Sequence, residues 1–228
     1  MKSVIRIHIV LVIIIGALLL ISSTAHADTV TLDKARTVVI KGQINSPKAA
    51  DAIFKLTTNS NTLPIDIVLS SPGGSINDGL VIDSAIKVAQ TRGILVRCHV
   101  PVYAASMAFY ILTQCSERYV LSNSFLLFHP ARVGSQGGYT QQQLIEAAES
   151  LLVTEDRLKI NMQFKMQMNA ELFEKHYKLA TLWLASDLIK ETRDGFLKMV
   201  DDIINVPENA MFNSDDENPL SKLFGRII

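Results

Sequence analysis

The sequence predicts an α/β domain whose core is a parallel sheet. Apolar strand-like segments and amphipathic helix-like segments alternate between residues 37 and 129, which is the order typical of parallel sheets covered by helices on both faces. The chain has 228 residues, 48% of them hydrophobic, so it is long enough for one domain with a substantial core.

The predicted strands are short apolar runs, and each helix between them has a recognisable start or face. The strands are expected at 37–44, 65–71, 94–102, 118–121 and 125–129. The helices are expected at 46–59, at 75–90 and from Ser106 onward. Pro47 suits the first turn of the first helix. The second helix has an apolar face made by Ile76, Leu80, Ile82, Ile86 and Val88.

A long amphipathic helix is predicted after residue 139. Thr140 and Gln143 have the spacing of a capping box. Apolar side chains then mark one face through about residue 168, namely Leu144, Ala148, Leu151, Leu158, Met162 and Met166. This periodicity fits a helix that projects from the core to pack against another subunit, and it fits equally a helix lying on its own sheet.

The pattern becomes less regular towards the end of the chain. A further helical stretch is predicted at 179–192 and a last strand at 196–204. Residues 206–228 mix proline, asparagine and acidic residues before a short apolar end, and they are predicted to form a flexible tail. The globular domain is therefore expected to span residues 28–205.

Residues 1–27 have the organisation of a secretory signal peptide. Lys2 and Arg6 give a basic start, residues 9–21 form an apolar run, and residues 25–27 (AHA) place small side chains at a cleavage site. This run is short for a transmembrane helix, which needs about 20 residues, although retention as an uncleaved membrane tether stays open. The expectation is a protein exported to the periplasm or secreted.

Composition limits the partners and cofactors. Export to an oxidising compartment makes a disulfide between Cys98 and Cys115 an even alternative to two buried thiols. The chain carries 22 basic and 22 acidic side chains, and this zero net charge gives no basis for nucleic acid binding. No cysteine and histidine constellation with metal-ligand spacing is present, so neither a metal nor another cofactor is expected.

Three histidines lie in the predicted domain. His99 is inside an apolar strand and is expected in the core, whereas His176, in a polar helical stretch, is expected to face solvent. His129 ends the strand FLLFH, and Pro130 stops that strand. Because activating a hydroxyl at neutral pH usually takes an imidazole, His129 is the candidate general base.

The candidate nucleophile is Ser106, in the stretch VPVYAASMAFYIL (100–112). It stands where an apolar strand turns into an apolar helix, and Ala104 and Ala105 before it leave room for a substrate. Ligands of parallel sheets gather beyond the carboxyl ends of strands, where Ser106 and His129 both fall. The alternative is that Ser106 is a plain helix N-cap.

The turn SSPGGS (70–75) follows an apolar strand and opens a helix. Paired glycines let the backbone approach a ligand and turn an N–H towards it, which suits an oxyanion hole. An ordinary strand–helix turn is the alternative. The Walker lysine and the G-x-G-x-x-G spacing are absent, so a phosphate-binding loop is excluded.

Three segments match the motifs of one family in order and spacing: SSPGGSINDG, YAASMAFYIL and RYVLSNSFLLFHPA. Over about residues 35–205 the chain resembles the proteolytic subunit of the Clp protease family, serine peptidases of the ClpP/crotonase fold group. The resemblance implies a fold of repeated β-β-α units with a projecting handle helix. The handle, here the long helix after Thr140, would interleave between subunits of a homo-oligomer.

The same resemblance implies roles for individual residues. Ser106 would be the nucleophile and His129 the general base, and the amides of Gly74 and Met107 would form the oxyanion hole. Residues 131–138 would lie beside a bound peptide and pair with it as an added strand.

The third catalytic residue is not identifiable. The family has an aspartate just before an aromatic–leucine pair, and in TLWLASDLI that place is held by Thr181, while Asp187 stands at the wrong offset. An orienting carboxylate is worth about 10⁴ in rate in a serine triad. The departure leaves open a slower enzyme, a dyad and an inactive protein.

Other functions compete with that of an exported serine endopeptidase. A signal-peptide-peptidase-like enzyme would use a serine–lysine dyad, with Lys159 or Lys165, but has no need of His129. A non-catalytic binding or scaffold protein would explain Thr181, and an acyl-CoA enzyme fits poorly with a serine nucleophile and export. The Clp protease family works with an ATP-driven unfoldase. Export argues against such a partner for this chain. Peptides or unfolded proteins are the expected substrates.

Overall fold

The computed structural model describes residues 28–59, 62–132, 138 and 140–206. The predicted signal peptide (1–27) lies outside the described residues, as does the predicted tail except for Val206. No helix in the described part of the chain is long and apolar enough to span a membrane.

Ten strands and six α-helices make up the described fold, with a short 3-10 helix at Lys34–Arg36. The strands are β1 Thr29–Thr31, β2 Thr37–Lys41, β3 Ile65–Ser70, β4 Val96–Val100, β5 Tyr103–Ala105, β6 Glu117–Leu121, β7 Phe125–Leu127, β8 Leu182–Leu184, β9 Lys198–Val200 and β10 Asp202–Ile204. The helices are α1 Ser46–Thr58, α2 Ile76–Thr91, α3 Met107–Gln114, α4 Gln141–Met166, α5 Ala170–Leu179 and α6 Ala185–Glu191.

The main sheet has five parallel strands in the order β2-β3-β4-β6-β9. All six residues of β3 are buried, and Ile67 pairs with Val38 on one side and Cys98 on the other. Such continuous burial is typical of central parallel strands, and the helix-forming segments between the strands supply the crossovers. The predicted parallel α/β architecture is therefore confirmed.

A smaller sheet, β5-β7-β8, is linked to the end of β3 by an isolated bridge between Ser71 and Ala104. Its strands β5 and β7 are parallel, whereas β7 and β8 are antiparallel, with Leu126 opposite Trp183. The continuous helix predicted at 179–192 is wrong here, because α5 ends in the left-handed conformation of Ala180 and Leu182–Leu184 pair with β7. Tertiary pairing has outweighed the helical periodicity of this segment.

Helix α4 begins with the predicted capping box, in which the Thr140 hydroxyl accepts the Gln143 N–H and the Gln143 side chain accepts the Thr140 N–H. Only Leu158, Met162 and Met166 of this helix are buried, all near its C-terminal end. Several apolar residues of α4 are more than two-fifths exposed: Leu144, Ile145, Leu152, Val153, Ile160 and Phe164. We call α4 the handle helix.

A disulfide joins Cys98 in β4 to Cys115 after α3, with an S–S distance of 2.03 Å. Both half-cystines are buried. The neighbouring Arg118 guanidinium is also buried, donates to the carbonyls of Cys115 and Phe196, and lies 4.6 Å from the Phe196 ring centroid. The disulfide and Arg118 together fix the connection between α3 and β6. This connection is at the C-terminal end of α3, whereas Ser106 is at its N-terminal end.

Candidate active site

Ser106 occupies a strained turn between β5 and α3. Its backbone angles are φ 55° and ψ −125°, a combination that residues other than glycine adopt only where the surroundings enforce it. Its N–H donates to the Leu127 carbonyl over 2.8 Å, and its carbonyl accepts the Tyr110 N–H at 3.1 Å. Strand β7 and the first turn of α3 thus hold the residue from both sides, a geometry that is also found in nucleophile elbows.

The Ser106 hydroxyl is not used to cap the helix. Ser106 stands at the N-cap position of α3, but its side chain makes no capping hydrogen bond. By contrast, Ser75 caps α2 by accepting the Asp78 N–H over 3.2 Å. Ser106 is therefore the N-cap of α3 by position, without the side-chain hydrogen bond that an N-cap serine usually makes. The residue Ser106 is partly exposed, whereas Ala104 and Ala105 before it are buried, which leaves its hydroxyl available for other chemistry.

The SSPGGS turn packs directly against this serine. Two hydrogen bonds join Ser71 to β5. The Ala105 N–H donates to the Ser71 carbonyl over 3.0 Å, and the Ser71 N–H donates to the Tyr103 carbonyl over 3.1 Å. Gly73 has φ +95°, and a Cβ built on it would lie 2.9 Å from the Met107 nitrogen. Only glycine fits this approach, so the turn and the start of α3 form one surface.

Two backbone amides are suited to bind an oxyanion. Met107 is the first residue of α3, so its N–H has no acceptor within the helix. Gly74 pairs with Ile44 in an isolated parallel bridge, in which Ile44 donates to the Gly73 carbonyl and accepts from Ser75. This pattern points the Gly74 N–H away from Ile44. A side chain at position 74 is excluded because its Cβ would lie 2.3 Å from the Ile44 carbonyl oxygen.

His129 comes just after β7, the strand whose Leu127 carbonyl accepts the Ser106 N–H. Ala105 is paired with Leu127, so Ser106 and His129 leave the same end of two paired parallel strands. The His129 Nδ1 lies 2.6 Å from the Pro130 carbonyl oxygen, which can only accept, so Nδ1 is the protonated nitrogen and Nε2 carries the free lone pair. Burial lowers the pKa of His129 below its ordinary value, with the Pro130 carbonyl acting in the opposite direction.

The two residues considered for the third catalytic role both pair with side chains other than His129. The β7–β8 register, extended by one residue, places Thr181 opposite Phe128, but its hydroxyl lies 2.8 Å from His176 Nδ1. Asp187 lies in α6, is largely exposed and forms an ion pair with Lys190 over 3.0 Å.

His176 differs from its sequence prediction. It was expected to face solvent, yet it is partly buried, with its ring 4.5 Å from that of Trp183 and its Nδ1 bonded to Thr181. The reversal of the chain after α5 folds β8 back over the end of the helix and covers the imidazole. The prediction for His176 is therefore wrong.

His99 is in the core, as predicted. Its ring is fully buried and stacks on Tyr119 with centroids 5.1 Å apart. Its Nε2 lies 2.7 Å from Asp66, which also accepts two hydrogen bonds from Arg97. Burial alone would raise the pKa of Asp66, but the hydrogen bonds and charges of His99 and Arg97 hold it below the ordinary value. This is a structural network on β3 and β4.

The lysines considered for a serine–lysine dyad are on the handle helix. Lys159 forms an ion pair with Glu174 over 2.8 Å and lies over the Tyr177 ring at 5.2 Å. Lys165 is in the last turn of the same helix. Among the described residues, no group of three or more histidine, cysteine, aspartate or glutamate side chains could hold a metal ion.

Comparison with known proteins points to one family. The sequence profile of the Clp protease family matches residues 22–194, which is more than half of the chain. Similar curated proteins are ATP-dependent Clp protease proteolytic subunits of Streptococcus mutans serotype c, Streptococcus agalactiae serotype V and Streptococcus pyogenes serotype M5. Each is 30% identical over 131 residues, a stretch that covers 55% of this chain and 65% of the relative.

The matched stretch therefore falls just short of two thirds of each relative's length. The profile match, the parallel architecture and the resemblance in SSPGGSINDG, YAASMAFYIL and RYVLSNSFLLFHPA agree with one another. The chain belongs to the Clp protease family.

Proposed function

We propose that the protein is an exported serine endopeptidase that cleaves peptides or unfolded proteins through an acyl-enzyme on Ser106. The observation that carries the proposal is the strained Ser106 turn, whose hydroxyl is spared from helix capping and which is bonded to the strand leading to His129. A serine with only a structural role would gain nothing from this strain. Family membership and the glycine turn beside Ser106 support the proposal.

Acylation follows from the protonation state of His129. Because Nδ1–H is donated to Pro130, the Nε2 lone pair can take the hydroxyl proton as the Ser106 oxygen attacks the scissile carbonyl. The N–H groups of Gly74 and Met107 bind the oxyanion of the tetrahedral intermediate. The imidazolium then gives its proton to the leaving amine, the C–N bond breaks, and the acyl group remains on Ser106.

Deacylation repeats these steps with water in place of the hydroxyl. His129 Nε2 takes a proton from the water that attacks the acyl carbon, and the same two amides bind the second oxyanion. The bond between the acyl carbon and the Ser106 oxygen then breaks, the imidazolium returns its proton to that oxygen, and the acid product leaves. Burial of His129 favours its neutral form, which is the form that both proton abstractions require.

The substrate is proposed to bind as an extended chain beside the segment that follows His129. This segment, residues 131–138, would add a strand to the peptide through backbone hydrogen bonds. Residues 133–137 of it lie outside the described residues. Recognition through the backbone would accept many sequences, which suits peptides and unfolded proteins as substrates.

Assembly into a homo-oligomer is proposed to use the handle helix. Its exposed apolar side chains form a long surface, with Leu152 62%, Val153 65% and Phe164 73% exposed. Apolar surface of this extent on a projecting helix is typical of a protein interface. A second copy of the chain, contributing the same helix, would cover it.

Export is proposed from the signal-peptide pattern of residues 1–27, and the Cys98–Cys115 disulfide is compatible with an oxidising compartment. The streptococcal relatives are named ATP-dependent. An exported form would meet no ATP supply, so this chain is proposed to act without an ATP-driven unfoldase, on substrates that reach the site unaided.

Hydrolysis of an internally quenched peptide library, followed by mass spectrometry of the products, tests the proposal. The parent protein should cleave internal peptide bonds, and Ser106→Ala and His129→Ala should abolish cleavage while the circular dichroism spectrum stays unchanged. Persistence of cleavage in Ser106→Ala would contradict the proposal. A folded parent that cleaves nothing would favour a binding protein that has kept the fold.

A further inference from the structure

Gly79 is a glycine inside a helix. It is buried within α2, its backbone is helical, and it does not have the positive φ that often calls for glycine. Glycine is less favourable than alanine in the interior of a helix. A glycine at this position therefore needs a packing reason.

The packing reason is the side chain of Met107. A Cβ built on Gly79 would lie 3.0 Å from the Met107 sulfur, and closer still to its Cγ and Cε atoms. Both residues are buried, with Met107 only 3% exposed. The Met107 side chain thus packs directly against the backbone of α2, in the space that a side chain at position 79 would occupy.

The flexible end of Met107 alone cannot relieve a collision with such a side chain. Because the Met107 Cγ is bonded to its Cβ, a methyl group at position 79 would force the side chain out of its χ1 rotamer or would shift α3. Every residue of α3 is buried, which leaves little space for a new rotamer. The Ser106 N–H is held by the Leu127 carbonyl, so the displacement would fall on the peptide group between Ser106 and Met107. The N–H of that peptide group is the Met107 oxyanion donor.

The first turn of α2 also follows the other oxyanion donor. Gly74 directly precedes Ser75, the N-cap of α2. The Ser75 N–H donates to the Ile44 carbonyl over 3.1 Å, and the Ser75 carbonyl accepts the Gly79 N–H over 3.0 Å. One helical turn therefore connects the segment that carries the Gly74 amide to the residue against which Met107 packs.

We propose that Gly79 is a positioning residue of the oxyanion hole, which fixes the separation of the Gly74 and Met107 N–H groups by letting the Met107 side chain pack against α2. The inference rests on the proposed function, because it explains how that reaction holds its two donors in place. Donors stabilise an oxyanion best when they are aimed in advance at its position, so a small shift of one donor lowers the rate.

The test measures the second-order rate at which a fluorophosphonate labels Ser106 in the full-length protein. Gly79→Ala adds the methyl group that collides with Met107, and the rate should fall at least about tenfold. Met107→Ala removes the packed atoms without adding a collision, and the rate should fall about threefold because the donor is less firmly held. The double variant Gly79→Ala/Met107→Ala has no collision, so its rate should match that of Met107→Ala.

Ala89→Val is the matched control for a change in core packing. Ala89 is fully buried on the same helix, about 15 Å further along its axis. The added carbons should lower the urea midpoint, as in Gly79→Ala, but should leave the labelling rate unchanged. The pH midpoint of labelling, which reports on His129, should be the same in the parent, Gly79→Ala and Met107→Ala, because only a donor has moved.

Labelling of Gly79→Ala at the parent rate, a double variant as slow as Gly79→Ala, an equal loss in Ala89→Val or a shifted pH midpoint would each overturn the inference. Met107→Ala supplies the test if Gly79→Ala does not fold, since labelling of Met107→Ala at the parent rate would overturn it too. A parent protein that is not labelled at all would contradict the proposed function itself. A labelled parent with equally labelled variants would contradict only the role of Gly79.

Discussion

Gly73 stands so close to Ser106 that a Cβ at position 73 would lie 2.6 Å from the Ser106 Cβ. The same atom would lie 2.8 Å from the Ala105 carbonyl oxygen. Two segments more than 30 residues apart in sequence therefore meet at the nucleophile with no room for a methyl group. The geometry of the strained serine depends on a glycine in another turn.

Gly73→Ala should abolish labelling of Ser106 and lower the free energy of unfolding by about 2–4 kcal/mol, because it adds a steric clash to the strain of a positive φ. Gly93→Ala is the matched control, since Gly93 has φ +78° but nothing within 4 Å of a Cβ. The control should lose about 1 kcal/mol and keep full labelling. Urea unfolding and the labelling rate measure the two effects. Normal labelling in Gly73→Ala would show that the turn does not shape the site.

The pH dependence of Ser106 labelling should reflect the lowered pKa of His129. Only the neutral imidazole can take the hydroxyl proton, so the rate should rise with pH through the pKa of His129 in the folded protein. Burial lowers that pKa below the ordinary 6.5, so the midpoint should lie below pH 6.5. A midpoint at or above pH 7 would mean that burial does not control this histidine or that another group is the base.

Asp66→Ala should lower the free energy of unfolding by about 3 kcal/mol, because it leaves the buried His99 and the partly buried Arg97 without their shared carboxylate. Asp187→Ala, which breaks an exposed ion pair with Lys190, should cost less than about 0.5 kcal/mol. Urea denaturation at pH 7 gives both values. Equal losses in the two variants would contradict the structural role of the Asp66 network.

The stabilisation by Asp66 should also depend on pH. The pKa of this carboxyl is lowered in the folded protein, so its contribution is fully present above the ordinary value of 3.8 and disappears as the pH falls through the folded value. The difference in stability between the parent and Asp66→Ala should therefore shrink only below about pH 4.

Charged residues on the handle should disrupt assembly. The double variant Leu152→Asp/Val153→Asp places two charges where both side chains are more than three-fifths exposed, so the subunit should still fold. Light scattering after size-exclusion chromatography should give a smaller mass than for the parent. Phe54→Asp, at a similarly exposed apolar residue of α1, controls for the effect of a new charge elsewhere. An unchanged mass in the double variant would contradict the proposed interface.

Much of the fold could be predicted because local patterns and tertiary structure agree. The apolar runs around Ile67 and Cys98 became central strands, and the Thr140–Gln143 spacing became a capping box. Strand β8 could not be predicted, since Leu182–Leu184 are strand residues only through pairing with β7. The hydrophobic spacing of residues 179–192 favoured one continuous helix instead.

Only part of the candidate site could be predicted, because some of its contacts arise from tertiary structure and not from a local sequence pattern. Ser106, His129 and the paired glycines stand in segments whose order and spacing match a known family. Pro130 contributes through its backbone carbonyl, which every residue carries, so no side-chain pattern could reveal it.

Labelling of Ser106 tests the central claim most directly. The parent protein would be treated with a fluorophosphonate at neutral pH, digested, and examined by mass spectrometry for the modified residue, with Ser106→Ala and His129→Ala treated in parallel. We expect one adduct, on Ser106, which disappears in Ser106→Ala and is strongly reduced in His129→Ala. An unlabelled parent that is folded and oligomeric, or an adduct that persists in Ser106→Ala, would contradict an activated serine at this turn.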